Sequence, residues 1–182
     1  MVAAIAEAKG AAAAAPAPST VWKVDRSKSR LEFTGVQTGN EFTGSFSSFE
    51  SSIDLDPENL SAARIEVVID MTSAKTGDRQ RDAALPTAEW FSTADFPKAT
   101  FSASKVLATG PDEYEARGKL TIRDVSKDLA LRFTLKIAGD HAVAEGAATL
   151  VRSDFGVGQG EFATGEWVAL EVGVSFHLEA DR

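Results

Sequence analysis

From Val21 onward, apolar and polar residues alternate with a period of two. Leu31, Phe33 and Gly35 are separated by Glu32 and Thr34, and Phe42, Gly44 and Phe46 by Thr43 and Ser45. Ile65, Val67, Ile69 and Met71 share one face, as do Tyr114, Ala116, Gly118, Leu120 and Ile122. The same alternation runs from Leu129 through Leu131, Phe133 and Leu135 to Ile137, and from Val168 through Val172 and Phe176 to Leu178. Successive side chains of a strand point to opposite faces, so such runs mark sheets with one dry and one wet side. Gly, Asn and Pro fall between the runs, at Thr38-Gly39-Asn40, Asp56-Pro57-Glu58-Asn59, Thr109-Gly110-Pro111-Asp112 and Ala138-Gly139-Asp140, where they reverse the chain cheaply. Short turns at even spacing predict sequential hairpins rather than βαβ crossovers. About eight or nine strands of this kind close into a single antiparallel barrel, which removes the edges an open sheet would expose. The predicted fold class is all-β.

One segment breaks the alternation. Residues 72–101 read TSAKTGDRQRDAALPTAEWFSTADFPKATF, polar and helix-leaning. Asp78 can cap a short helix over Arg79–Leu85, which Pro86 stops, and Thr87 can cap a second turn carrying Trp90 and Phe91. One or two short helices are therefore expected across a barrel end. Trp90, Phe91 and Phe96 are apolar rings on a polar segment and must pack on something, and the barrel mouth is nearest. They form either a lid over a ligand opening or a permanent plug.

Composition narrows the function. The chain carries 27 acidic and 19 basic residues, a net charge of −8, with no Lys/Arg cluster. That argues against nucleic acid and anionic membrane surfaces, which require concentrated positive charge. The absence of cysteine removes disulfides, thiolate metal sites and Cys nucleophiles. Residues 1–20 are Ala/Pro-rich, and Glu7 and Lys9 interrupt what would be a secretory apolar run, so this stretch reads as a flexible tail or linker before a 21–180 barrel domain. His141 and His177 read as unclustered, with His177 facing outward, so no metal site is expected. Gly156-Val-Gly158-Gln-Gly160 lacks the strand–loop–helix context and the Lys-Ser/Thr end of a nucleotide loop and reads as turn and bulge glycine. No nucleophile elbow is present, and the alternation puts nearly all charges outside. The chain is read as non-enzymatic, with no catalytic residue and no catalytic cofactor. Eleven Phe against one Tyr give much aromatic surface without polar handles. Phe33, Phe42, Phe46, Phe101, Phe133 and Phe176 either fill a solid core or line a cavity.

Several elements then fall in a familiar order. Trp22-Lys-Val-Asp25 with Ser27, Ser29 and Phe33 opens the series, followed by Gly44-Ser-Phe46. The crossover supplies Thr76-Gly77, Arg81-Asp82, Leu85, Trp90-Phe91, Asp95-Phe-Pro97 and Thr100-Phe101. Gly118-Lys-Leu-Thr-Ile-Arg123 and Asp154-Phe-Gly156 complete it. From Val21 to Leu178 the chain resembles the YceI-like family, lipocalin-like barrels that bind polyisoprenoid lipids. The resemblance implies a periplasmic protein that binds, stores or carries a polyisoprenoid or isoprenoid quinone non-covalently in an elongated cavity. It implies a lining from Phe33, Phe42, Phe46, Ile69, Trp90, Phe91, Phe101, Leu120, Ile122, Phe133, Phe155 and Phe176. Arg79, Arg81 and Asp82 are candidate head-group contacts, against the plainer reading of a solvated helix face.

Phe33–Gln37 and Gly156–Glu161 look most like the branch fused to, or encoded beside, cytochrome b561-type membrane proteins. That resemblance implies such a partner, and with it an alternative function as an interaction module with a filled core. A homodimer is a further partner expectation. Asp124, Ser126 and Asp128 stand where the family usually shows Gly, Thr and Pro, so the turn there is expected to be reshaped. The carrier reading requires an internal tunnel long enough for several isoprene units.

Overall fold

The structure is a computed structural model that describes residues 20–182. The tail assigned to residues 1–20 lies outside the described residues except for Thr20. Its carbonyl accepts from the Leu55 amide at 2.9 Å and its hydroxyl donates to Asp54, so Thr20 belongs to the folded domain.

The alternating runs form a closed antiparallel wall. β1 (Val21–Val24) and β2 (Arg30–Gln37) are two halves of one broken stave, and β3 (Asn40–Phe46) and β4 (Phe49–Asp54) are two halves of the next. β5 (Arg64–Asp70) follows, then the short β6 (Ala74–Lys75) and the helix α1 (Arg79–Ala84). β7 (Lys98–Gly110), β8 (Glu113–Ile122), β9 (Val125–Ala138), β10 (His141–Val151) and β11 (Glu171–Asp181) continue as a meander. β11 pairs with both β1 and β2, which closes the sheet; counting each broken stave once, the wall is an eight-stranded barrel. One end carries the turns at 38–39 and 123–124, the crossover at 71–97 and a second long connection at 152–170.

The inward faces explain why this barrel is not solid. Three inward phenylalanines each lie opposite a glycine in the ladder: Phe33↔Gly44, Phe42↔Gly35 and Phe176↔Gly146. Each ring rests against its partner's bare backbone, so close that a Cβ on any of the three glycines would collide with it. The rings therefore lie along the wall rather than across the lumen. Elsewhere in the lining, Ala99, Ala116, Ala142, Ala144 and Ala148 keep the wall thin. These small residues also explain why β7 and β10 are weak in the sequence, since their inward positions carry little apolar bulk to count.

Asp78 caps α1, its carboxylate accepting from the Gln80 and Arg81 amides at 2.9 Å each. The second expected helix is instead a set of turns: the Trp90 amide bonds Thr87 at 3.0 Å and the Phe91 amide reaches back to Leu85 at 2.9 Å. Pro86 removes the donor that a continuing helix would need.

The turn between β8 and β9 places Arg123 and Asp124 at φ of 52° and 62°, both left-handed. Only two residues connect the strands, and the hairpin twist demands positive φ at both positions. Asp124→Gly is expected to stabilise the fold by about 1 kcal/mol by removing a left-handed penalty. Thermal unfolding should show this as a rise of about 2–4 °C in Tm.

The two histidines are not apart, which corrects the sequence reading. The β10–β11 register sets His141 opposite Asp181 and Glu145 opposite His177. Glu179 then bridges both rings, to His177 Nε2 at 3.4 Å and His141 Nε2 at 3.5 Å, while Glu145 meets His177 Nδ1 at 2.7 Å. The hydrogen bond to Glu145, helped by Glu179, raises the His177 pKa above its ordinary value of 6.5, against the opposing effects of burial and of Arg30. A raised folded-state pKa makes the protonated ring stabilising, fully so below pH 6.5, and that contribution is lost as pH rises through the folded value. Tm should therefore fall with rising pH above 6.5 through this group, and His177→Gln should flatten that part of the profile.

Candidate functional site: an apolar cavity along the barrel

The barrel encloses a cavity of about 260 Å³ whose exposed wall is apolar. It reaches from Trp22, Leu55 and Ala180 at one end to Leu85, Trp90, Phe91 and Phe155 beneath the crossover. Along β11 the lining extends from Val172 to Ala180, about 26 Å of strand at ~3.3 Å per residue. An apolar cavity of about 150 Å³ accepts benzene, so on that scale this one takes roughly ten carbon atoms, or two isoprene units.

The twelve residues that the resemblance assigned to the lining all stand in it: Phe33, Phe42, Phe46, Ile69, Trp90, Phe91, Phe101, Leu120, Ile122, Phe133, Phe155 and Phe176; Phe96, named with Trp90 and Phe91 as a ring for the barrel mouth, does not, and lies against Arg123 instead. The rings are also in contact with one another, Phe33 with Phe46 at 5.1 Å and Phe46 with Phe91 at 6.3 Å between centroids. The polar candidates lie elsewhere. Arg81 is spread over the Phe42 ring and donates to Gln37 at 3.0 Å. Asp82 accepts from the Thr76 amide and hydroxyl, both at 2.7 Å, and these bonds hold its pKa below the ordinary value. Arg79 is exposed on α1. None of the three lines the cavity.

A residue that the sequence reading passed over organises this end. Arg152 is the next inward position after Ala144, Gly146, Ala148 and Leu150 of β10, and it is only 4% exposed. Its guanidinium meets five carbonyls: Ala169 through Nε, Val157 and Gly158 through Nη1, and Phe162 and Val168 through Nη2, at 2.6–3.4 Å. Arginine has five N–H donors, so this loop answers its whole complement. Burial lowers its pKa, yet no carboxylate is needed to hold the charge. The alternation of β10, extended by one step, would have pointed it inward.

The same glycine-rich loop holds the crossover. Gly158 has φ of 81° and lies against the Arg152 guanidinium, where a Cβ cannot fit. The Gly158 and Gln159 amides donate to the Glu89 carbonyl at 2.8 and 2.9 Å, and Trp90 packs on Phe162 with centroids 5.0 Å apart. From the other side, Arg123 donates to the Ala88 and Trp90 carbonyls at 2.6 Å each. The crossover is fastened at both flanks as well as through Phe91. Gly156, Gly158 and Gly160 are turn residues with positive φ, not bulges in a strand.

A model of the YceI-like domain matches residues 22–180. A UPF0312 protein of Pseudomonas aeruginosa is 33% identical over 120 residues, covering 63% of this chain and 62% of that protein. Protein YceI of Salmonella arizonae is 36% identical over 97 residues, 53% of this chain and 50% of its own length. The aligned region thus spans less than two thirds of these relatives. Among solved structures, BcnA of Burkholderia cenocepacia superposes with a TM-score of 0.83 at 29% identity, covering 86% of this chain and 99% of BcnA. A polyisoprenoid binding domain from Saccharophagus degradans shares the fold, with a TM-score of 0.71 at 15% identity over 90% of this chain and 98% of that one.

Arg152→Met should cost about 3 kcal/mol or more, because it strands several inward carbonyls. Arg152→Lys should rescue little, since one ammonium cannot replace a five-donor fork. Urea unfolding measures the loss, and amide exchange should rise first between residues 157 and 169.

Proposed function

Because this chain belongs to the YceI-like family, we propose that it binds a long isoprenoid lipid, a polyisoprenoid or an isoprenoid quinone, and stores or carries it in the periplasm. The observation that carries this reading is the apolar cavity running the length of the barrel, which the Gly–Phe pairs keep open. The driving force is removal of the prenyl chain from water. At about 0.8 kcal/mol per buried methylene, ten carbons gain roughly 8 kcal/mol before the costs of immobilisation. A longer tail must push rings aside or remain partly outside.

The protein acts as a binder rather than a catalyst. Among the described residues Arg152 is the one ionisable side chain on the cavity wall, and its donors are all committed to carbonyls. The rival reading, an interaction module for a cytochrome b561-type membrane protein, calls for a filled core, and the cavity favours the carrier, although its volume takes about two isoprene units rather than the several that the carrier reading requires, so a longer tail is enclosed only in part. A membrane protein of that kind fits better as donor or recipient of the lipid.

Native mass spectrometry followed by organic extraction should recover a prenyl lipid from purified protein. Delipidated protein should take up ubiquinone-2, a quinone with two isoprene units, with quenching of tryptophan fluorescence. Gly44→Ala pushes the Phe33 ring off the wall and should weaken that uptake by roughly tenfold, the equivalent of about 1.4 kcal/mol. Recovery of no lipid, together with no uptake of ubiquinone-2 or farnesol, would leave the interaction module as the better reading.

A further inference from the structure

The barrel wall is split along one seam. β1 and β4 are in ladder register only at Val21↔Asp54 and Trp22↔Ile53, and β2 and β3 only from Glu32↔Ser45 to Gln37↔Asn40. Between those ladders, residues 23–31 face residues 46–52 with no register pair. Each side is anchored on its far flank instead. Lys23, Val24, Arg30 and Leu31 pair with β11, and Phe49–Ser52 pair with β5.

The sequence diverts both edges of the seam. On one edge, Asp25 gathers a local turn: its carboxylate accepts from the Ser27 amide at 3.0 Å and its carbonyl from the Ser29 hydroxyl at 2.7 Å. On the other, Ser48 turns to the crossover side, its amide donating to Ser73 at 3.2 Å and its carbonyl accepting from Asp70 at 3.0 Å. Groups on both edges of the seam are thus engaged away from it, in a local turn on one side and with the Asp70–Ser73 segment on the other.

Two further observations fall at the same place. A crevice of about 430 Å³ lies on the outer surface over the split, lined by Lys23, Arg26, Glu50 and Ser52 among others. Trp22, Val24, Phe49 and Ser51 line both this crevice and the internal cavity, so they are the partition between outside and inside. Phe49 is 5% exposed, yet it and Leu31, the buried apolar residues flanking the split, stand outside the main packed cluster. The crossover end, by contrast, is fastened on two flanks.

We propose that the seam between the two broken staves is the portal through which a prenyl tail passes, with Phe49 as its plug. The polar head of the ligand stays in the crevice outside, among Ser51, Ser52, Lys23 and Arg26. This rests on the isoprenoid-binding reading given above. It makes the crossover a fixed end of the barrel rather than a lid, and it gives a tail longer than the cavity a way to remain partly outside.

Stopped-flow uptake of ubiquinone-2 by the full chain, read by tryptophan quenching, tests it. Phe49→Ala should speed association and dissociation together by roughly tenfold, as removal of a gate does. Val24 and Ser51 would be partners if the β1–β4 ladder continued, and the chain has no native cysteine. A Val24→Cys/Ser51→Cys disulfide should slow uptake at least about tenfold, with recovery on reduction. A bimane label on Ser52→Cys should be quenched by the quinone ring at saturation, and one on Thr87→Cys should not. Rates unchanged in Phe49→Ala and in the oxidised pair, or quenching at position 87 alone, would overturn the portal. A wild-type chain that takes up no ubiquinone-2 at equilibrium would instead overturn the isoprenoid reading, and this proposal with it.

Discussion

The guanidinium of Arg152 sits out of water at the covered end of the barrel, and the chain around it is shaped by the need to answer that charge. A buried cation without a partner is costly, and among the described residues backbone carbonyls from 157 to 169, rather than an acid, supply the balance. Turning those carbonyls toward one point curls the loop, and the curl requires left-handed backbone at Gly156, Gly158 and Gly160. The curled loop then presents the Gly158 and Gln159 amides to Glu89 and the Phe162 ring to Trp90. The crossover thus depends on a charge it never carries. Without that anchor, the crossover would keep only the Arg123 flank and the packing of Phe91 on Phe46.

The hollow interior follows from a second constraint, the pairing of large against absent side chains. A barrel of this strand number can be filled completely by ordinary apolar residues. Here three rings are laid flat on glycine and other inward positions carry alanine, so apolar surface is abundant while volume is left over. The same arrangement supplies a lining with almost no polar group to direct a ligand. On the proposed isoprenoid-binding reading, recognition inside is by shape and hydrophobicity, and a choice between head groups falls to the polar atoms at the rim and the seam.

The outer face of β10 and β11 shows how register creates chemistry that residue spacing hides. His141 and His177 are far apart along the chain, yet a shared Glu179 links them once the strands pair. The pair forms a surface network joined through Glu179. It is remote from the lining, whose residues alternate to the opposite face.

Strand identity, barrel closure and the set of inward aromatic residues were legible in the chain because a period of two is a local property: each residue's face follows from its neighbour's. The short helix was legible too, since Asp78 and Pro86 mark its ends by their own chemistry. β7 and β10 were faint because alanine and glycine carry little apolar signal. Arg152 was missed because a lone charge after an alanine-rich strand reads as surface. Its burial depends on five carbonyls that converge only after the 152–170 segment folds back. The histidine bridge, the fastened crossover and the split seam likewise depend on contacts between segments distant in sequence. Alternation fixed which residues could face inward; whether that interior would be full, how it is closed, and where its wall is left unzipped were decided by register and by the long-range hydrogen bonds of the tertiary structure.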